Sequence, residues 1–229
     1  MISVYSSFSK DKIMDEGGKI MSVRKGGPAY FIERIFKKYR FSYLLKTEKA
    51  IEVEIKLSPK GEMGRVKNKL KTKRIRVRNT RKPVLISTIG KEWMLKNNIP
   101  EDAKVFLDIQ GYVRDLRRFG KKTSFNAPFL SEIFCIKGTK KEISYLPKNI
   151  IEKQKDKCLI ITKGSEGAFV YYEGKKFLFK PKTKVIQKMA IGAGDVFFAS
   201  FVLNFIKSNG NIIKSGRAAS KEVVEFLKG

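Results

Sequence analysis

The uncharged apolar run from Val196 to Ile206 leaves this chain few structural options. It stops at Asn209-Gly210 and is entered through Gly192-Ala193-Gly194-Asp195, just after a basic run ends at Lys188. Such a pattern predicts a loop running into a buried helix. The first N–H groups of that helix and the positive end of its dipole would lie beside backbone bared by Gly192, Ala193 and Gly194. The turn can therefore hold an anion or a developing oxyanion. Asp195, in the first turn, points at the same place. A carboxylate beside an anion-stabilising turn offers what phosphoryl transfer to a hydroxyl needs, a base for the alcohol proton and donors for the transferring group. Taken alone, the same string is also an ordinary turn with an acidic residue on the helix dipole.

Composition narrows the chemistry. The 229 residues, 42% of them hydrophobic, suffice for one sizeable core, and one domain spanning 1–229 is expected. No run of about 18 uncharged apolar residues occurs, and Met1-Ile2-Ser3-Val4-Tyr5 does not read as a signal peptide, so a soluble, cytoplasmic protein without membrane contact is expected. Cys135 and Cys158 sit in strand-like apolar runs without metal-ligand spacing and read as buried structural thiols. The chain has no histidine, which excludes Ser-His-Asp, Cys-His and His-metal chemistry and leaves carboxylates, lysines and backbone. Fifty Lys+Arg against 22 Asp+Glu give +28, a bias toward anionic partners. The excess is densest from Lys60 to Lys82, but that stripe has no interleaved aromatics and no nucleic-acid motif, so nucleic acid is not the expected partner.

Short apolar runs recur through the C-terminal two-thirds: Val84–Ser87, Val105–Asp108, Ile133–Ile136 and Leu159–Thr162. Each is followed by a helical or crossover segment, including one expected around Glu92 to Lys96 and one over Thr139 to Leu146. The pattern predicts an α/β layer fold around a mostly parallel sheet. Ligands in such sheets bind beyond the strands' C-terminal ends, where Asp108, Gln110, Lys137 and Thr162 fall. Hairpins are predicted over Phe169–Phe179 and around Asp15-Glu16-Gly17-Gly18, and a helix through Ile32, Ile35 and Phe36. Residues 41–82 read as charged, half-exposed strands able to cover a site.

Three segments in order, Gly26-Gly27-Pro28-Ala29, Thr162-Lys163-Gly164-Ser165-Glu166-Gly167 and Gly192-Ala193-Gly194-Asp195-Val196-Phe197, resemble the signatures of the ribokinase (PfkB) carbohydrate kinases over nearly the whole chain. The resemblance implies a three-layer α/β/α domain with a small β lid, the lid strands lying within 12–24 and 41–82. It also implies transfer of the ATP γ-phosphate to a sugar, polyol or nucleoside hydroxyl with Mg²⁺, and leaves room for a homodimer through the lid. By position, Asp195 would be the base, with the anion hole formed by Gly192, Ala193 and Gly194. Thr162, Gly164, Gly167 and Lys137 would bind the nucleotide; Asp11, Gly26, Gly27, Asp108 and Arg114 would bind the acceptor.

Glu142 would stand near the metal, although Thr139-x-x-Glu142 is equally a capping box at a helix start. Lys188, Met189, Ala190 and Ile191 replace the threonines and the acidic or amide residue usual before the last motif, which speaks against a monovalent-cation site. Phe106–Arg114 and Glu132–Lys137 are most similar to the myo-inositol kinase branch. A nucleoside kinase of the same superfamily is the alternative; a catalytically silent sugar or nucleotide sensor and a nucleic-acid binder are the rivals from other classes.

Overall fold

The apolar runs become the central strands of the computed structural model, which describes residues 1–58, 61–67, 69–78, 81–118, 120–183, 185 and 190–229. Lys60 of the basic stripe and Lys188 and Met189 before the glycine turn lie outside the described residues. In chain order come β1 (Ile2–Ser6), β2 (Ser9–Met14), β3 (Ile20–Gly26), α1 (Pro28–Lys38), β4 (Tyr43–Lys46), β5 (Ile51–Ser58), β6 (Gly61–Val66), β7 (Lys73–Ile75), β8 (Val84–Ser87), β9 (Trp93–Leu95), β10 (Val105–Asp108) and α2 (Gln110–Val113). The rest of the chain forms β11 (Cys135–Thr139), α3 (Lys140–Ile143), α4 (Lys148–Asp156), β12 (Cys158–Thr162), β13 (Ala168–Tyr172), β14 (Lys175–Phe179), α5 (Ala193–Lys207) and α6 (Ile212–Lys228).

Among the described residues eight strands form one sheet in the order β14-β13-β12-β11-β10-β8-β1-β4. The pairs from β4 to β12 are parallel, and the β13–β14 hairpin closes one edge antiparallel. Side chains alternate across this sheet as the pleat requires. On β10, Phe106 joins the core on one face, with α1, α5 and α6, while Val105 and Leu107 join the core on the other, with α2, α3 and α4. The result is the expected α/β/α layering. Helix α5 is wedged between the sheet, α1 and α6, which explains its nearly continuous apolar sequence: the residues from Val196 to Leu203 and Phe205 are all buried. Both cysteines are buried and free.

Two sequence expectations are corrected. The segment after β8 is not helical, because Trp93 and Leu95 turn into the core as strand β9, which pairs with β7 in a small ribbon. Residues 41–82 are not all lid: β4 completes the central sheet beside β1, and only β5 and β6 join β2 and β3 in the four-stranded lid. The lid's inner face carries Asp11, Ile13, Val53, Ile55 and Val66. Its outer face carries ion pairs such as Lys12–Glu52 (3.3 Å) and Arg65–Glu54 (2.7 Å).

Because α5 is packed on several sides, truncating its centre opens a cavity that the surroundings cannot close. Phe201→Ala is expected to lower stability by about 3–5 kcal/mol, read as a fall in the urea midpoint.

Candidate active site

Four residues from four segments converge where the parallel strands end. Ser87 closes β8, Asp108 closes β10, Lys137 lies on β11 and Asp195 sits in the first turn of α5. Lys137 Nζ donates to Asp108 Oδ2 at 2.7 Å, with the two side chains only 4% and 1% exposed. Ser87 Oγ lies 3.3 Å from both Asp108 Oδ2 and Asp195 Oδ1, so its one proton serves either carboxylate but not both. Asp108 Oδ1 also accepts the Gln110 N–H at 3.0 Å. Burial disfavours the Lys137 ammonium, yet Asp108, Asp195 and Glu142 outweigh burial and raise it above the ordinary lysine range. Burial pushes the Asp195 carboxyl up to about 6; Lys137 opposes that rise, Asp108 adds to it, and Ser87 and Arg114 oppose it.

The turn into α5 depends on its glycines. Gly192 has φ 92, in the left-handed region, and a methyl group there would lie 2.3 Å from the Phe31 ring. At Gly194 a methyl group would lie 3.2 Å from Lys137 Nζ, so the bare backbone lets the ammonium rest against the helix start. The expectation that Ala193 donates to an anion is corrected: its N–H bonds Ala190 O at 3.0 Å. The first helical bond runs from Val196 N–H to Gly192 O at 2.9 Å, which places the Gly194 and Asp195 N–H groups ahead of the regular ladder.

Two cavities meet at this turn. One, of about 320 Å³, is lined by Asp11, Gly27, Arg114, Gln110, Lys137 and Asp195, together with Val53 and Ile55 from the lid. The other, of about 410 Å³, is lined by Thr162, Gly164 and Gly167 and by the apolar Phe197, Val223, Val224 and Leu227. Thr139, Thr162, Ala190 and Gly194 border both. Most of the residues expected at a site are therefore brought together.

Asp108 and Gly26 are not among the residues lining the first cavity. Asp108 is fully buried and its carboxylate is taken by Lys137 and the Gln110 N–H, which corrects its placement on the acceptor. Gly26 lies against Asp11: a methyl group there would fall 2.0 Å from Asp11 Oδ2. Its part is to leave room for that carboxylate rather than to touch a ligand. Burial pushes Asp11 above the usual carboxylate range, against the Ser9 hydroxyl and the charges of Arg24 and Arg114. Arg114 Nη1 donates to Ile89 O at 3.0 Å, and the loop carrying Ile89 is held by Glu92, whose oxygens accept the Ile89 and Gly90 N–H groups at 2.8 and 2.7 Å. Neither Glu92 nor Ser87 stood out in the sequence.

Glu142 completes the capping box. Its N–H bonds Thr139 Oγ1 at 3.2 Å and its Oε2 accepts the Thr139 N–H at 2.9 Å. Its other oxygen is also engaged, by Lys122 Nζ at 2.9 Å. Burial alone would raise this carboxyl, but Lys122, Lys137 and the Thr139 N–H outweigh burial and hold it down at about 2. One carboxylate between two ammonium groups, with both oxygens occupied, is a poor donor set for Mg²⁺.

Residues 123–224 match the family model described as pfkB family carbohydrate kinase. That match covers less than half of the chain. No curated protein matches it significantly in sequence. Among solved structures it is similar to a pyrophosphate-dependent kinase in the ribokinase family complexed with a pyrophosphate analog and myo-inositol, with TM-score 0.67 and 15% identity over 100% of this chain and 95% of that one. A nucleoside kinase of Methanocaldococcus jannaschii gives 0.60 and 17%, over 100% and 98%, and a ribokinase of Thermotoga maritima gives 0.56 and 16%, over 100% and 99%. The fold of the chain is thus ribokinase-like. No helix among the described residues is long and apolar enough to cross a membrane.

The lowered Glu142 carboxyl has a consequence for acid stability. A carboxyl held at about 2 in the folded chain, against the 4.5 of an ordinary glutamate, stabilises the fold fully above the higher value. That contribution, on the order of 3 kcal/mol, is lost as pH falls through the lower one. Glu142→Gln is therefore expected to be markedly less stable than wild type at pH 7, with the gap narrowing steadily toward pH 2.5. Urea unfolding at a series of pH values checks this, and a gap that ignores pH would remove the charge from the explanation.

Proposed function

We propose that the chain is an ATP-dependent kinase that moves the γ-phosphate to a hydroxyl of a small polyol, cyclitol or sugar, with Asp195 as general base. The observation that carries this reading is the meeting of two cavities at Gly194, next to Asp195 in the first of them, one bearing hydroxyl-binding groups and the other an apolar slot. An acceptor held by Asp11 and Arg114 would present a hydroxyl to Asp195. The carboxylate takes the hydroxyl proton as the oxygen bonds the γ-phosphorus, and the bond from that phosphorus to the bridging oxygen breaks to release ADP. Lys137 and the Gly194 and Asp195 N–H groups would face the charge on the transferring group. Thr162, Gly164 and Gly167 would border the donor, and Gly27 and Gly192 would let the two substrates approach closely.

The apolar wall of Phe197, Val223, Val224 and Leu227 supports a nucleotide, because a nucleobase has apolar faces to bury and pyrophosphate has none. Pyrophosphate is the second donor to try, as the similar structure named above belongs to a pyrophosphate-dependent kinase. For the acceptor, Asp11 and Arg114 favour a ring of hydroxyls, myo-inositol foremost; the apolar Phe31, Val53, Ile55 and Ile191 lining the same cavity support a nucleoside as the second reading. The exposed Ile20, Met21 and Val23 along β3, at an edge of the lid, support pairing of two chains through the lid.

Acceptor-dependent release of ADP, or of phosphate from pyrophosphate, across inositols, sugars and nucleosides tests these choices. Myo-inositol is expected to exceed deoxygenated cyclitols strongly, since a site built to bond hydroxyls rejects analogues lacking them. Turnover confined to nucleosides would replace the polyol reading while leaving the base in place. Asp11→Ala should reduce acceptor use more than donor binding.

Asp195→Asn is expected to lower kcat about 10²- to 10⁴-fold with little change in donor affinity. In the wild type, kcat/KM should fall as pH drops through about 6, where the base of the free chain becomes protonated. Undiminished turnover of the asparagine variant would remove Asp195 from the role.

A further inference from the structure

Lys122 is delivered to Glu142 by a pinned stretch of backbone. It follows α2 on a strap in which Lys122 bridges Arg114, the Asp115 N–H bonds Lys121 O at 2.9 Å and the Thr123 N–H bonds Val113 O at 2.8 Å. Beyond it, Phe125 is buried against Tyr112, with ring centroids 5.2 Å apart, and its N–H bonds Tyr145 O at 3.1 Å. The Lys122 and Glu142 side chains are 14% and 6% exposed. This is unlike a solvated surface pair, whose partners exchange freely with water. Breaking a buried pair leaves an uncompensated charge, so a competing cation must supply more than the ammonium it displaces. Lys137 adds a second positive charge toward the same carboxylate.

We propose that Lys122 holds Glu142 Oε1 in place of a divalent cation, so that this chain uses an internal ammonium where a carboxylate would otherwise offer a metal-binding oxygen. A divalent ion accompanying a phosphate donor would then be held by the donor's oxygens and water, and Glu142 would serve the cap and the charge balance of the site. The inference concerns the ion pair itself and stands whichever donor or acceptor the chain uses.

Titration of the purified full chain with Mn²⁺ alone, followed by the loss of the free-ion EPR signal, tests it without an activity assay. Wild type and Glu142→Gln should give superimposable isotherms. Lys122→Met, which keeps the stem's length and removes the charge, should gain one site at least tenfold tighter than that of the Lys122→Met/Glu142→Gln double variant. Mn²⁺ binding by wild type that Glu142→Gln abolishes would overturn the proposal. So would a folded Lys122→Met, judged by circular dichroism, whose isotherm matches wild type. Should Lys122→Met fail to fold, Lys122→Gln replaces it, and the comparison of wild type with Glu142→Gln decides on its own.

Discussion

The Lys137–Asp108 ion pair is what the arrangement of the site hangs on. A lysine ammonium pressed against the start of α5 meets the positive end of a helix dipole, and burial strips it of water. Alone it would be expelled or neutralised. Asp108 at 2.7 Å and the nearby Asp195 keep it charged, and the Gln110 N–H and the Ser87 hydroxyl fill remaining positions around the Asp108 carboxylate. The cluster thereby ties the ends of β8 and β10 and the middle of β11 to the first turn of α5. Such pairs are weak sources of net stability but break expensively, which suits a role of fixing one geometry. The same cluster sets the chemistry of Asp195: burial and the neighbouring Asp108 raise its carboxyl, while Lys137 keeps that rise moderate.

How much of this was legible depends on how far along the chain each contact reaches. Helix α5, its glycine turn and Asp195 were readable because they form one continuous pattern, and the Thr139–Glu142 cap because its partners are three residues apart. The hairpin β13–β14 was equally local. Helix α6 passed unremarked because no motif marked it. The strand β9 defeated a helical expectation because Trp93 and Leu95 answer to a distant core rather than to local propensity. Asp108 stood out at a strand end, but its partner Lys137 lies 29 residues on, and only the parallel pairing of β10 with β11 shows that the carboxylate is spent on that lysine. Lys122 was invisible for the same reason. Within Gly120-Lys121-Lys122-Thr123 it looks like any solvated lysine, and nothing local distinguishes it from its neighbour.

The charge of the chain and the charge of the site follow different logics. At +28 the molecule should attract anions from a distance, yet around the two cavities the cations Lys122, Lys137 and Arg114 stand against the carboxylates Asp11, Asp108, Glu142 and Asp195. Long-range attraction therefore comes from the surface, including exposed residues such as Lys69, Lys71, Arg74, Arg76 and Arg78, and is screened within a Debye length. Inside, where screening is weak, near-balance keeps each group in a defined state. Phosphates entering beside Lys137 would tip that balance. They would disfavour the ionised form of Asp195, so the base would hold an acceptor's proton most readily once the donor is in place. Coupling of this kind needs no moving part, because the carboxylate, the ammonium and the helix start already share one enclosed space.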